Sequence, residues 1–378
     1  MTADVYFMDL GATNRETFHQ KLDRLLKKAG VEEIFSPKEL TAVKVHFGEA
    51  GNTAYIRPIH IRQVVKTLKA IGAEPFLTDA NTLYVGTRSD AVSHIRTAVE
   101  NGFAYSSMDG VPVVIADGLM GKSEVAVEVG HKHCDVVHIG AEIVNAPALV
   151  SVAHFKGHEL SGFGGTLKNL GMGCASRRGK LDQHSNVSPK IRRKSCIGCG
   201  ECVAHCPSGA LYLEERKAYI KQKVCIGCAE CIVRCPTTSI NINWNQTVPV
   251  FLEKMMEYTA GVLKNKAGKT LFINFITDIS PKCDCLSYNE TPIVSDIGVV
   301  ISTDPVAIDQ ASADLVNQAQ ALPQPTLTCN HAPGEDKFKG LYPDVDWEHQ
   351  LEYAQELGLG SRDYRIIKMD SLTYGKKG

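Results

Sequence analysis

The sequence predicts an α/β scaffold interrupted by a small metal-binding insert. Three observations carry that prediction. Strand-like and helix-like segments alternate before residue 155, segments of the same kind return from residue 270, and two dense, closely similar cysteine runs lie between. At 378 residues the chain can build a core that stands without disulfide staples, so stability does not account for its 13 cysteines.

TAVKVHF at 41–47 is rich in β-branched residues and reads as a strand. IRPIHIRQVVKTLKAIG at 56–72 carries apolar residues at helical spacing and stops at a glycine, and EPFLTDA at 74–80 is a second strand, which completes a β-α-β unit. SDAVSHIRTAVENG at 89–102 is another helix ending in glycine, and VPVVIAD and NAPALVSVAHF read as buried strands. TLFINFIT at 270–277 and PIVSDIGVVIS at 292–302 are predicted strands. DPVAIDQASADLVNQ at 304–318 is a helix with Asp304 as N-cap and Pro305 in the first helical position. The organisation that follows is an α/β segment over 1–190 with a ligand site, an insert over 191–245, and a C-terminal α/β segment over 246–378 that completes the scaffold.

The insert has its own code. Cys196-Ile-Gly-Cys199-Gly-Glu-Cys202-Val-Ala-His-Cys206-Pro207 is followed by Cys225-Ile-Gly-Cys228-Ala-Glu-Cys231-Ile-Val-Arg-Cys235-Pro236. Both match the C-x2-C-x2-C-x3-C-P run of bacterial two-cluster ferredoxins, in which three thiolates from one loop and the fourth cysteine of the other run hold each [4Fe–4S] cubane. The expected sets are Cys196, Cys199 and Cys202 with Cys235, and Cys225, Cys228 and Cys231 with Cys206. Gly198 and Gly227 permit the tight turns, and ALYLEERKAYIKQK at 210–223 reads as a hairpin between the halves. Zinc would need only four ligands and leaves the doubled, proline-terminated pattern unexplained. The insert is therefore expected to be a bacterial-type 2[4Fe-4S] ferredoxin-like α+β domain, with two [4Fe–4S] clusters as cofactors.

Just upstream, HELSGFGGTLKNLGMGCASRRGKLDQH runs from His158 to His184, with His154 before it. Gly162, Gly164 and Gly165 would let backbone approach a ligand, and Lys168 would supply charge or an amine. This is neither a Walker A loop, since no glycine directly precedes the lysine, nor a G-x-G-x-x-G turn, since Leu167 stands at the last position. Three histidines around such a turn, following the predicted strand PALVSVAHF, point to a small-molecule site at a strand's carboxyl end.

HFKGHELSGFGGTLKNLGMG, the tandem cysteine runs, the Cys283-Asp284-Cys285 stretch and SDIGVVISTDPVAIDQAS together resemble the domain-of-unknown-function 362 family, in its iron–sulfur fusion branch. The order His158, Gly162, Gly165, Lys168, His184 is also similar, more distantly, to the nickel-pincer lactate racemase family. That second resemblance implies a lysine carrying a pincer nucleotide, Lys168, a nickel-ligating histidine, His184, and an acid/base histidine, His158. IRP at 56–58 is similar to the T-R-P segment of those racemases and implies Arg57 as an anion contact. Thr166-Leu167 departs from their glycine–arginine pair, and they lack the cysteine insert.

The remaining features are weaker. Cys283 and Cys285 suit a pair of metal-directed thiolates or one reactive thiol, which Cys329 and His331 could complete if the fold joins them. His46, Glu49, Asn52, Asp79 and Asn81 follow predicted strands and could rim the same pocket, while Cys134 and Cys174 read as structural. The basic run at 190–194, with Arg177, Arg178 and Lys180, reads as a solvated face, or more sharply as a dock for an anionic ligand or acidic partner. A formal charge of −1, from 41 Lys and Arg against 42 Asp and Glu, argues against nucleic-acid or membrane-surface binding. The N-terminus lacks a signal-like apolar run, so a cytoplasmic protein is expected, in whose reducing compartment regular cysteines mean metal or redox chemistry.

The function expected is electron transfer through two clusters by an oxidoreductase acting on a small molecule near His158, Lys168 and His184, with a redox partner protein. The alternatives are a non-enzymatic electron carrier or assembly partner, and a nickel-pincer-like hydroxyacid racemase or dehydrogenase. The histidine–lysine site could hold a cofactor in place of a small molecule, an additional metal or nucleotide-type group.

Overall fold

Neighbouring residues on the central strands point to opposite sides of one sheet: Ala42, Leu149 and Phe272 join one apolar core, and Val43, Val150 and Ile273 the other. A computed structural model describes residues 2–185, 188–242 and 247–372. Its main sheet has eight strands, β1 Ala3–Asp9, β2 Leu40–Val45, β3 Glu74–Asp79, β4 Val113–Ile115, β5 Ala148–His154, β6 Thr270–Ile276, β7 Gly298–Ser302 and β8 Tyr364–Lys368. They lie in the order β8-β1-β7-β6-β5-β2-β3-β4. β7 runs antiparallel to both neighbours, and every other pairing is parallel.

Helices cover both faces, which is why the inner strands are apolar on both sides. Phe18–Lys28 and Pro58–Ala70 pack on one side, and Val248–Leu263, Pro305–Gln318 and Glu348–Glu356 on the other. Asp304 caps Pro305–Gln318 by accepting from the N–H groups of Val306 and Ala307 at 2.9 and 2.8 Å. The strand expected over 292–302 is shortened to Gly298–Ser302, because its first half turns away and Val294 bridges Ala321.

The chain leaves the sheet at His154 and returns at Thr270 in the adjacent strand. Between these points come the glycine–histidine–lysine stretch and the cysteine segment. Within the latter, Leu211–Glu214 pairs with Lys217–Ile220 through Glu215 and Arg216, both at positive φ (48° and 58°) as a two-residue hairpin turn requires. Lys190–Ile191 pairs with Ile240–Asn241 and gathers the two ends of the segment. A third apolar cluster joins Leu211, Ala218 and Ile232 of this segment to Leu83 and Leu181 of the surrounding scaffold. The expected boundary between residues 245 and 246 lies outside the described residues. No described helix is long and apolar enough to cross a membrane.

Candidate functional site

Because β2, β3, β5 and β6 are parallel, their carboxyl ends open on one edge of the sheet, where α/β sheets place ligand sites. A cavity of about 360 Å³ lies there. His46 and Asp79 enter it from the ends of β2 and β3, His154 from β5, and Cys283 and Cys285 from the loop that follows β6. His158, Gly164, Gly165, Lys168 and His184 complete the wall.

Lys168 sits on the short helix Thr166–Gly171, and a buried carboxylate fixes that helix. Asp309 accepts the N–H groups of Thr166 and Leu167 at 2.8 and 2.9 Å, and Asn274 donates to it at 2.7 Å. Gly165 makes the approach possible, since a Cβ there would lie 2.3 Å from Asp309 Oδ1. Burial pushes Asp309 up to about 6 despite these donors. Gly164 leaves room for the stem of Lys168, whose Cδ would lie 3.2 Å from a Cβ at that position.

The histidines differ in their surroundings. His158 Nδ1 accepts from the backbone N–H groups of Leu160 and Ser161, both at 3.2 Å, which leaves Nε2 to carry the ring proton. His184 stacks on Phe251 at 4.9 Å, and burial, reinforced by His158, Lys168 and Lys180, pushes it down to about 3. His154 places Nδ1 2.9 Å from Asp284 and Nε2 2.7 Å from the carbonyl of Thr277.

Two donors converge on Cys283 Sγ, the Cys285 N–H at 3.5 Å and Lys168 Nζ at 3.8 Å. The Cys285 hydrogen bond first, then Lys168 and His158, hold Cys283 well below the usual thiol range against the opposing effect of burial. The same contact raises Cys285. Burial disfavours charge on Lys168, but the two thiols and nearby acids outweigh it and raise its pKa. The loop lies close because Gly157 has no side chain; a Cβ there would stand 2.2 Å from the carbonyl oxygen of Pro281.

Cations dominate the wall. Lys44 pairs with Asp79 at 2.9 Å, Arg88 with Glu49 at 3.1 Å, and Lys156 with Asp284 at 3.2 Å. Lys180 bonds the carbonyl of Ala175 at 2.6 Å, and burial pushes it down to about 8. Sequence reasoning did not select Lys44, Arg88, Lys156 or Asp309 for the site. A lysine in the middle of the apolar strand TAVKVHF was the one available signal.

Other expected residues lie elsewhere. Arg57 is 68% exposed, with Asp278 3.8 Å away, and does not line the cavity. Gly162 (φ 73°) packs beneath Trp347 instead, where a Cβ would lie 2.4 Å from the tryptophan Cβ. Cys329 is exposed and His331 bonds the carbonyl of Leu327, so neither lines this wall. Arg177 and Lys180, expected on a solvated basic face, are buried; Arg177 spans from the carbonyl of Met120 to Glu230 of the cysteine segment at 3.4 Å. Asn52 and Asn81 serve the scaffold, bonding the carbonyls of Leu286 and Gly118.

The eight cysteines of the two runs line two small hollows, of about 10 and 20 Å³. Cys196, Cys199, Cys202 and Cys235 face the first, and Cys206, Cys225, Cys228 and Cys231 the second. The backbone N–H groups of Ala218, Ala210 and Ser239 donate to Cys196, Cys206 and Cys235 at 3.4, 3.3 and 3.2 Å. Among the described residues no three His, Cys, Asp or Glu side chains converge closely enough to hold a single metal ion.

A family model described as "Domain of unknown function (DUF362)" matches residues 41–314. No curated protein matches the chain. Among solved structures, the lactate racemase apoprotein from Thermoanaerobacterium thermosaccharolyticum is similar at 12% identity, over 72% of this chain and 51% of that one, with a TM-score of 0.36. A protein from Thermotoga maritima is similar at 10% identity, over 70% and 52%, with a TM-score of 0.37. The chain spans about half the length of both.

Proposed function

The chain belongs to the DUF362 family, and on that footing we propose that it is an iron–sulfur oxidoreductase of a small molecule bound beside His158, Lys168 and His184. Cys196, Cys199, Cys202 and Cys235 would hold one [4Fe–4S] cluster and Cys206, Cys225, Cys228 and Cys231 a second, within a ferredoxin-like insert over 191–245. Such clusters supply one-electron transfer.

The observation that carries this reading is the crossed grouping of thiols: each hollow takes three cysteines from one run and the last from the other. Backbone amides aimed at three of the sulfurs fit sulfur that carries negative charge. Four cysteine ligands on each cluster would leave no position for substrate, which favours the cavity as the substrate site. Leu83 lines that cavity and also packs into the apolar cluster of the cysteine segment, so the two sites share a wall.

Within the cavity Lys156, Lys168 and Lys180 favour an anionic ligand. A redox partner protein would approach the cysteine segment near Ile197 and Ile226, which are exposed beside their cysteines. The second reading, a pincer-type hydroxyacid racemase, is favoured by His158, Lys168 and His184 lining one cavity. It requires a mass excess on the purified protein that Lys168→Ala removes.

The test is paramagnetic resonance of anaerobically purified, dithionite-reduced protein. Two cluster signals are expected, one lost in Cys199→Ser and the other in Cys228→Ser. A protein with no reducible signal, carrying zinc instead, would overturn the reading.

A further inference from the structure

The thiol pair of the substrate cavity has no part in the function proposed above. Cys283 Sγ accepts from the Cys285 N–H at 3.5 Å and from the ammonium of Lys168 at 3.8 Å. Cys283 is almost wholly buried and Cys285 partly so, and both face the cavity. Among the described residues these side chains do not form a metal-holding group with a third ligand. Two neighbouring thiols beside a fixed positive charge are suited to nucleophilic sulfur chemistry.

We propose that Cys283 is the attacking thiolate and Cys285 the resolving thiol of a site that reduces a small, negatively charged disulfide. The Cys283 thiolate attacks one sulfur of R–S–S–R′; that bond breaks, and R′–S⁻ leaves with the electron pair and takes the proton of Cys285. Cys285 then attacks the Cys283 sulfur and releases R–S⁻. The cysteine pair is thereby oxidised to a disulfide, and the substrate is reduced by two electrons to one thiol and one thiolate. A bond spanning a single intervening residue is strained and readily reduced. Return to the thiolate–thiol state takes two electrons and one proton, and only this return rests on the iron–sulfur reading. Lys156, Lys168 and Lys180 confer the preference for anionic R groups.

The test uses the anaerobic holoprotein in a Cys329→Ser background, since Cys329 is the exposed thiol outside the cysteine segment. The probe is 5,5′-dithiobis(2-nitrobenzoate), a disulfide with two carboxylates, and the readouts are thiolate release and peptide mass mapping. The expected result is rapid release of about two thiolates per chain, leaving Cys283 joined to Cys285. Cys285→Ser should release one and retain the adduct on Cys283, and Cys283→Ser should lose the fast phase. A fast phase that survives Cys283→Ser, or an adduct that maps to Cys285 in the parent, would overturn the proposal. Iron and sulfide content is read on the same samples, so failure of the cluster reading is seen separately from failure of the dithiol.

Discussion

Lys168 Nζ lies 3.8 Å from Cys283 Sγ although 115 residues separate them in the chain. The ammonium stabilises the thiolate, and Lys168→Met should raise the thiol's pKa. The pH midpoint for alkylation of Cys283 by iodoacetamide is expected to move upward, by about one pH unit for each pKa unit gained. An unchanged midpoint would show that Cys285 and His158 alone set its reactivity.

Asp309 makes the helix carrying Lys168 sensitive to pH. Its carboxyl titrates at about 6, above the ordinary 3.8, so the folded state holds the proton more tightly than the unfolded chain. That contribution to stability is complete below about pH 4 and is lost as pH rises through about 6, a change on the order of a few kcal/mol. Asp309→Asn should remove this slope from the denaturation midpoint measured between pH 4 and 7. A variant and parent that keep parallel profiles would contradict the assignment.

Gly165→Ala places a Cβ 2.3 Å from Asp309 Oδ1 and 2.9 Å from Phe155. A destabilisation of about 1–3 kcal/mol or more is expected in urea unfolding, together with weaker ligand binding as Lys168 moves. Normal stability would mean that the helix cap relaxes freely.

Arg177 joins the cysteine segment to the scaffold through buried Glu230. Arg177→Leu leaves that carboxylate with Lys122 at 3.3 Å and Arg234 at 2.8 Å but without its fully buried partner. A cost of about 1–3 kcal/mol is expected, read as faster proteolytic cleavage within 190–241 at unchanged sheet stability. Uniform destabilisation of the whole chain would contradict a local docking role.

Much of the fold was legible because the central strands are short apolar runs between glycine-terminated helices. The segments 41–47, 74–80 and 270–277 appear as β2, β3 and β6. The site was legible in part. His154, His158, Lys168 and His184 lie close in sequence, and the cavity collects all four. Cys283, Lys44 and Asp309 reach the same place only through strand order, which no local pattern encodes. Arg57 shows the converse: its motif suggested an anion contact, but the side chain sits at a helix start facing solvent.

The most direct measurement is iron and acid-labile sulfide on anaerobically isolated protein, in the parent and in Cys206→Ser. About eight of each per chain are expected in the parent. Because Cys206 lines the hollow of Cys225, Cys228 and Cys231, its replacement should perturb that second centre and spare the one held by the first run. Zinc at about two per chain without sulfide, or perturbation of the centre built on Cys196, Cys199 and Cys202, would contradict the account.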